Sequence, residues 1–178
     1  MTDAFRPKAV HMNCFDASAL VKVYADEVGS SEVRQYFRSE SSNYTTLICY
    51  FETLTALKMK RFYRKPRDNL TDDEYHKAAS ELSAWFSLSS KNLAAPDLDL
   101  VDSKTFPKVQ SLARKYSLDL SDAFQILSVK TNFASVMSGG SQTVLVTADK
   151  DLAAAARSEF IKVREYQYDK ATSRFVVL

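Results

Sequence analysis

Short apolar runs alternate along the chain with longer stretches of helical periodicity. Four runs are rich in aliphatic and β-branched residues and predict strands at 10–15, 98–101, 143–147 and 160–166. Elsewhere apolar residues recur at three- and four-residue spacing and predict helices at 17–25, 31–38, 44–63, 71–88, 105–116, 121–133 and 150–158. Strands that alternate with helices favour an α/β fold, a three-layer α/β/α domain with a mostly parallel central sheet.

The length of the chain favours a single domain. Its 178 residues, 46% of them hydrophobic, can bury one substantial core, so we interpret residues 1–178 as one globular domain. Residues 1–9 are predicted to form a flexible leader, and residues 167–178 a short tail after the last strand. No internal repeat or low-complexity linker divides the sequence.

Composition excludes several classes of function. Three glycines are too few for a P-loop or a dinucleotide-binding fingerprint. Cys14 and Cys49 lie in apolar runs and lack the number and spacing of a disulfide framework or a zinc site, which predicts reduced core residues of a cytoplasmic protein. No run of about 18 apolar residues is available to span a bilayer. The net charge of +2 is too small to indicate a nucleic-acid partner by itself.

Four acidic residues stand alone in neutral, largely apolar stretches. Each is the only charged residue of its stretch: Asp16 in 9–21, Glu52 in 41–57, Asp122 in 120–129 and Asp149 in 131–149. Such isolation is unusual in a chain in which 26% of residues are charged. A buried carboxylate is costly unless it is paired, protonated or bound to a cation, so these four require an explanation.

Two interpretations of the four acids remain open from the residues alone. Asp16, Asp122 and Asp149 could each cap a helix while Glu52 points to solvent. Alternatively, the four share one cluster where strands end, since Asp16 and Asp149 both follow predicted strands and ligands bind at that edge of α/β sheets. Oxygen ligands of this kind would hold Mg²⁺ or Mn²⁺.

The segments that carry these acids resemble a known family. FDASALVKVY, the helix with Glu52, LSDAFQIL and VTADKDL are similar, in that order, to the four acidic motifs of PIN-domain ribonucleases, in particular VapC-like toxins. The resemblance extends from Asn13 to about Arg157 and implies a PIN-like fold. The chain is longer than a typical VapC-like toxin, and the extra length includes a predicted helical insertion at 66–96.

The resemblance also implies roles for particular residues. Metal ligands would be Asp16, Asp122 and Asp149, with Asp151 as an outer ligand. Glu52 would hold a water molecule or act as a base. Ser18 and Thr147 would orient the carboxylates. The implied cofactor is Mg²⁺ or Mn²⁺, with one or two ions per site, and the implied catalytic set is Asp16, Glu52, Asp122 and Asp149.

The implied activity is metal-dependent hydrolysis of RNA phosphodiester bonds by an endoribonuclease. The family likeness further implies the toxin of a toxin-antitoxin module, with an RNA substrate, an antitoxin protein as partner, a homodimeric state and no membrane association. One alternative is a degenerate PIN domain that binds RNA or a protein without catalysis. Another is a phosphatase with Asp16 as nucleophile, although Ser18 occupies the position where such an enzyme usually has its second acid.

A basic segment occupies the end of the predicted Glu52 helix and the residues just after it. Six cations and two aromatic residues lie close together, and the cations are Lys58, Lys60, Arg61, Arg64, Lys65 and Arg67. This composition is typical of a surface that contacts an RNA backbone. It is equally typical of a solvated helix end whose cations complement the helix dipole.

Overall fold

A five-stranded sheet forms the centre of the part of the chain that the computed structural model describes, residues 12–40, 42–63, 69–93, 103–131, 143–169 and 174–178. The strands are β1 (Met12–Phe15), β2 (Asn43–Tyr44), β3 (Thr143–Thr147), β4 (Lys162–Asp169) and β5 (Arg174–Val177). The helices are α1 (Ala17–Tyr24), α2 (Ser30–Ser39), α3 (Leu47–Phe62), α4 (Asp72–Leu93), α5 (Thr105–Tyr116), α6 (Leu120–Thr131) and α7 (Lys150–Ser158).

The strand order is β2-β1-β3-β4-β5, and every neighbouring pair is parallel except β4 with β5. The predicted mostly parallel α/β sheet is therefore confirmed. In the register of β1 with β3, Phe15 lies opposite Val146. The backbone N–H of Asp16 donates to the carbonyl of Val146 at 2.9 Å. The carboxyl ends of the two central strands thus meet at one edge of the sheet.

Apolar side chains cover both faces of the sheet. Adjacent strand residues point to opposite faces, so Cys14 packs with residues of α6 and α7 such as Ile126 and Leu152. Phe15 packs on the other side with residues of α1, α3 and α4 such as Leu20 and Leu57. The result is the predicted three-layer arrangement. Both cysteines are buried and unbridged, and no helix in the described residues is long and apolar enough to cross a membrane.

Some predicted elements differ from the observed ones. The helix predicted from residue 44 begins at Leu47, because Thr46 caps it by accepting the backbone N–H of Cys49 at 3.2 Å. Asn43 and Tyr44, which precede the β-branched residues Thr45 and Thr46, form β2. This strand is too short to give a periodic pattern. The last parallel strand is Lys162–Asp169, and the predicted tail at 167–178 contains β5, which pairs with it.

Other predicted segments fall partly or wholly outside the described residues, among them the leader at 1–9, the strand at 98–101 and residues 132–133 of the predicted 121–133 helix. Within the predicted helical insertion at 66–96, α4 occupies Asp72–Leu93. Its residues Ala78 and Leu82 are buried against the core that contains Phe15. This helix therefore contributes to the main core of the domain.

Lys60 does not have the exposed position that an RNA contact requires. Its side chain is buried, with 5% relative exposure, and forms an ion pair with Glu27. Glu27 also pairs with Lys22 at 3.1 Å. Burial raises the pKa of Glu27, but hydrogen bonds and charges of the two lysines outweigh burial, so the pKa lies below its ordinary value. Burial and this ion pair disfavour Lys60 as an RNA contact. The local sequence does not reveal them, because Glu27 lies 33 positions earlier in the chain.

We expect Lys60→Met to lower the free energy of unfolding by about 1–3 kcal/mol, because Glu27 loses one of its two cations while Met keeps the apolar part of the side chain. Lys58→Met is the matched control, since Lys58 lies on the same helix and is exposed. Its effect should stay within about 0.5 kcal/mol. Urea denaturation of the two variants measures the difference, and equal stabilities would contradict a structural role for Lys60.

Candidate active site

Asp16 lies directly after β1 and is held by four hydrogen bonds. Its Oδ2 accepts the backbone N–H of Ser18 at 3.1 Å, the hydroxyl of Ser18, and the hydroxyl of Thr147 at 2.9 Å. Its Oδ1 accepts the side-chain amide of Gln125 at 2.7 Å. The residue is only 4% exposed. All four donors are neutral, so the carboxylate is fixed in place while its negative charge is not compensated.

Asp149 lies two residues beyond the end of β3. Its Oδ1 caps α7 by accepting the backbone N–H groups of Asp151 at 2.8 Å and Leu152 at 2.9 Å. Its own N–H donates to the Thr147 hydroxyl at 2.9 Å, and Ala148 N–H donates to the Ser18 hydroxyl at 2.9 Å. Ser18 and Thr147 therefore join the ends of the two central strands, the orienting position expected for them.

Helices α3 and α6 bring further carboxylates to the same edge. A cleft of about 620 Å³ has among its lining residues Asp16, Glu52, Asp119, Asp122 and Asp149. The four acids singled out in the sequence are thus neighbours in space. The fifth, Asp119, was missed because it precedes α6 and looks like a helix cap. It is indeed one, since it accepts Asp122 N–H at 2.9 Å.

Two carboxylates of the cleft, those of Asp122 and Glu52, have raised pKa values. Burial, followed by the charges of Asp119, Asp16, Asp149 and Glu52, raises the pKa of Asp122 to about 7. Burial also raises the pKa of Glu52, and Asp16 and Asp119 add to the shift while a hydrogen bond from Ser121 opposes it. Burial is the larger cause in both residues, and the neighbouring negative charges act in the same direction.

Ion pairs in the described part of the chain leave this cluster out. The acids that pair with Lys or Arg there are Glu27, Asp26, Asp72, Glu159 and Glu165, and none of them lines the cleft. A divalent cation would relieve the repulsion and satisfy hard oxygen donors. The residues present therefore fit a Mg²⁺ or Mn²⁺ site.

Cys49 lies beneath the cleft. Its sulfur and carboxylate oxygens of Asp16 and Glu52 lie within 4.8 Å of one another. Burial, with the nearby charge of Asp16, raises the pKa of the Cys49 thiol well above its ordinary value. The thiol is therefore neutral near pH 7, and the carboxylates rather than sulfur are the groups suited to a hard cation.

The remaining sequence-predicted site residues are more distant or have other partners. Asp151 is exposed and does not line the cleft, because it lies two residues beyond Asp149 on a different face of α7. Arg61 pairs with Asp72 at 2.6 Å, and Lys58 is exposed. The other three cations of the basic segment, Arg64, Lys65 and Arg67, lie outside the described residues.

Comparisons with known proteins agree with this architecture. A family model described as the PIN domain matches residues 14–158. No curated protein matches the chain. The crystal structure of PAE2754 from Pyrobaculum aerophilum is similar with a TM-score of 0.53 and 17% sequence identity, over 92% of this chain and 90% of that chain. At this identity the likeness concerns the fold.

The raised pKa of Asp122 predicts how stability changes with pH without metal. In the folded state Asp122 keeps its proton up to about pH 7, whereas in the unfolded chain it ionises near about pH 4. The folded state therefore binds more protons between these values, and this group's contribution to stability falls as pH rises through the interval. Asp122→Asn removes that contribution.

We therefore expect Asp122→Asn to melt at a higher temperature than the wild type in EDTA, with a difference that grows from about pH 4 to about pH 7. Asp73→Asn is the control, because Asp73 is an exposed acid on α4. Thermal melts at several pH values give the comparison. A difference that is constant across the range would show that the pKa of Asp122 is not raised in the folded state.

Proposed function

The chain belongs to the PIN domain family, which matches residues 14–158, and on that basis we propose that it is a metal-dependent endoribonuclease that hydrolyses RNA phosphodiester bonds. PIN domains are generally nucleases. The observation that carries the proposal is the cleft with five carboxylates, none of which pairs with a Lys or Arg in the described residues.

Asp16, Asp122 and Asp149 are the residues we assign to Mg²⁺ or Mn²⁺, with one or two ions in the site. When bound, such an ion activates water near neutral pH and stabilises the charge that develops on a phosphate during cleavage. Asp16 and Asp149 lie at fixed strand ends, which favours a defined geometry. Asp151, which does not line the cleft, is at most an outer contributor.

Glu52 is suited to the role of general base. It faces the cleft from α3 and is half-buried, and its pKa is raised by burial and by Asp16 and Asp119. A carboxylate with a raised pKa accepts a proton from an attacking water more readily than an ordinary one. Ser18 and Thr147 keep Asp16 and Asp149 in place through the hydrogen bonds between the strand ends.

The finer role that we propose is the toxin of a toxin-antitoxin module. The wording of the motifs FDASALVKVY and VTADKDL supports this, since it resembles VapC-like toxins. Such a protein would act in the cytoplasm as a homodimer, cleave RNA, and be held inactive by an antitoxin protein. Of the basic segment, the exposed Lys58 remains a candidate for contact with the RNA backbone.

The geometry disfavours Asp16 as a covalent nucleophile of a phosphatase. Both of its oxygens accept hydrogen bonds from the protein, four in total, and the residue is 4% exposed. A nucleophilic oxygen needs access to the phosphorus atom. The hydrogen bonds of Asp16 instead suit a carboxylate that keeps one orientation.

Incubation of the purified protein with labelled RNA and labelled DNA tests the proposed function. We expect cleavage of RNA with Mg²⁺ or Mn²⁺ and none with EDTA. Asp16→Asn and Asp149→Asn should each lower the rate by at least about 10–100-fold, the loss typical of groups that support a metal site. The exposed-acid variant Asp73→Asn should retain activity.

RNA binding without cleavage in either metal would contradict the proposal and favour a degenerate, non-catalytic PIN domain. Phosphate release from small phosphomonoesters without RNA cleavage would favour a phosphatase. Cleavage that continues in EDTA at the same rate would show that the carboxylates do not act through a metal.

A further inference from the structure

The two oxygens of Asp16 are not equivalent. Oδ2 accepts three hydrogen bonds, from the Ser18 N–H and the hydroxyls of Ser18 and Thr147. Three donors exceed the two lone pairs of a carboxylate oxygen, so Oδ2 has no capacity left for another partner. In the described residues Oδ1 accepts only the Gln125 amide, at 2.7 Å. Oδ1 is thus the oxygen that remains able to bind a cation.

Gln125 donates to Asp16 through its amide nitrogen, but its amide oxygen, Oε1, is left without a partner among the described residues. Its side chain is fully buried. The opposite amide orientation is disfavoured, because it would place two acceptor oxygens, Gln125 Oε1 and Asp16 Oδ1, against each other. Buried amide oxygens are normally satisfied. Asp16 Oδ1, which is also buried, gains a hydrogen-bond donor from this arrangement, and the unsatisfied Oε1 offsets part of that gain.

We propose that Gln125 is a positioning residue for the metal site, which holds Asp16 with Oδ1 directed for cation binding; this inference rests on the proposed metal-dependent function. The amide is neutral, so it restrains the carboxylate without neutralising the charge that a cation needs. A lysine or arginine at this position would compete with the metal. A leucine would leave Asp16 restrained at Oδ2 alone.

Gln125 lies on the same helix as Asp122, a second proposed ligand, and donates a hydrogen bond to Asp16. It lies three residues after Asp122 on α6, and residues at this spacing share one face of a helix. Asp122 lines the cleft, and Gln125 contacts Asp16 from the buried side. The same helix therefore supplies one ligand and fixes the orientation of another, which relates the carboxylates of β1 and α6 to each other.

Gln125→Met tests the inference, because methionine is unbranched and similar in length but cannot donate to Asp16. Ser128→Ala is the matched control. Ser128 is buried on the same helix, its hydroxyl also has no partner in the described residues, and it makes no hydrogen bond to Asp16. The readouts are Mn²⁺ affinity from calorimetric titration and the thermal midpoint in EDTA, both independent of nuclease activity.

We expect Gln125→Met to bind Mn²⁺ about 10–100-fold more weakly than the wild type, the loss typical of residues that support metal ligands. Its midpoint in EDTA should fall, because the buried Asp16 Oδ1 loses its hydrogen-bond donor, so the Mn²⁺ affinity is the readout that decides. Ser128→Ala should keep wild-type affinity. Gln125→Asn, whose amide is one methylene too short to reach Asp16, should show the same loss of affinity and serves if the Met variant fails to fold.

Wild-type Mn²⁺ affinity in both Gln125 variants would overturn the inference and leave the proposed function intact. A lower midpoint in EDTA with unchanged affinity would also overturn it, because Gln125 would then be a purely structural residue. If the wild-type protein itself binds no Mn²⁺, the proposed metal-dependent function fails, and the role of Gln125 fails with it. Equal losses in Gln125→Met and Ser128→Ala would point to general disturbance of α6 and contradict the proposal.

Discussion

Repulsion between carboxylates at one edge of the sheet is the constraint on which the arrangement of this site depends. The parallel register of β1 with β3 places Asp16 and Asp149 at adjacent strand ends. Helices α3 and α6 add Glu52 and Asp122 to the same cleft. Neutral hydrogen-bond donors fix Asp16 without compensating its charge. A folded state that holds like charges together in this way is stabilised when a divalent cation binds.

Glu159, an acid outside the cleft, is paired with basic side chains. Glu159 accepts hydrogen bonds from Lys115 at 2.8 Å and Lys130 at 2.5 Å, and these bonds, with one from Tyr116, lower its pKa to about 2. Its partners lie at the end of α5 and the end of α6, so the ion pairs join both helices to the end of α7. Asp122, with a pKa of about 7, has no such partner in the described residues. The contrast separates a carboxylate whose charge is balanced by lysines within the fold from carboxylates that we propose bind a cation.

Much of this organisation could be predicted from the sequence, because isolation in a neutral stretch marks Asp16, Glu52, Asp122 and Asp149. Local sequence patterns did not predict the environment of residues whose partners are distant in sequence. Lys60 has the pattern of a surface cation, yet Glu27, which neutralises it, is 33 positions away. From the local sequence, Asp119 is interpreted as a helix cap and Gln125 as a buried helical residue. Their relation to the site is evident only from the packing of α6 against β1. Strand β2, with two residues, is too short to show periodicity.

We propose that the carboxylate cleft binds a divalent cation. Anomalous diffraction from crystals soaked in saturating Mn²⁺ tests it most directly, because it locates the ion without reference to activity. We expect a peak within about 2.5 Å of a carboxylate oxygen of Asp16 and of at least one of Asp122 and Asp149. A cleft without anomalous density, while Mn²⁺ occupies other surfaces of the same crystal, would contradict it.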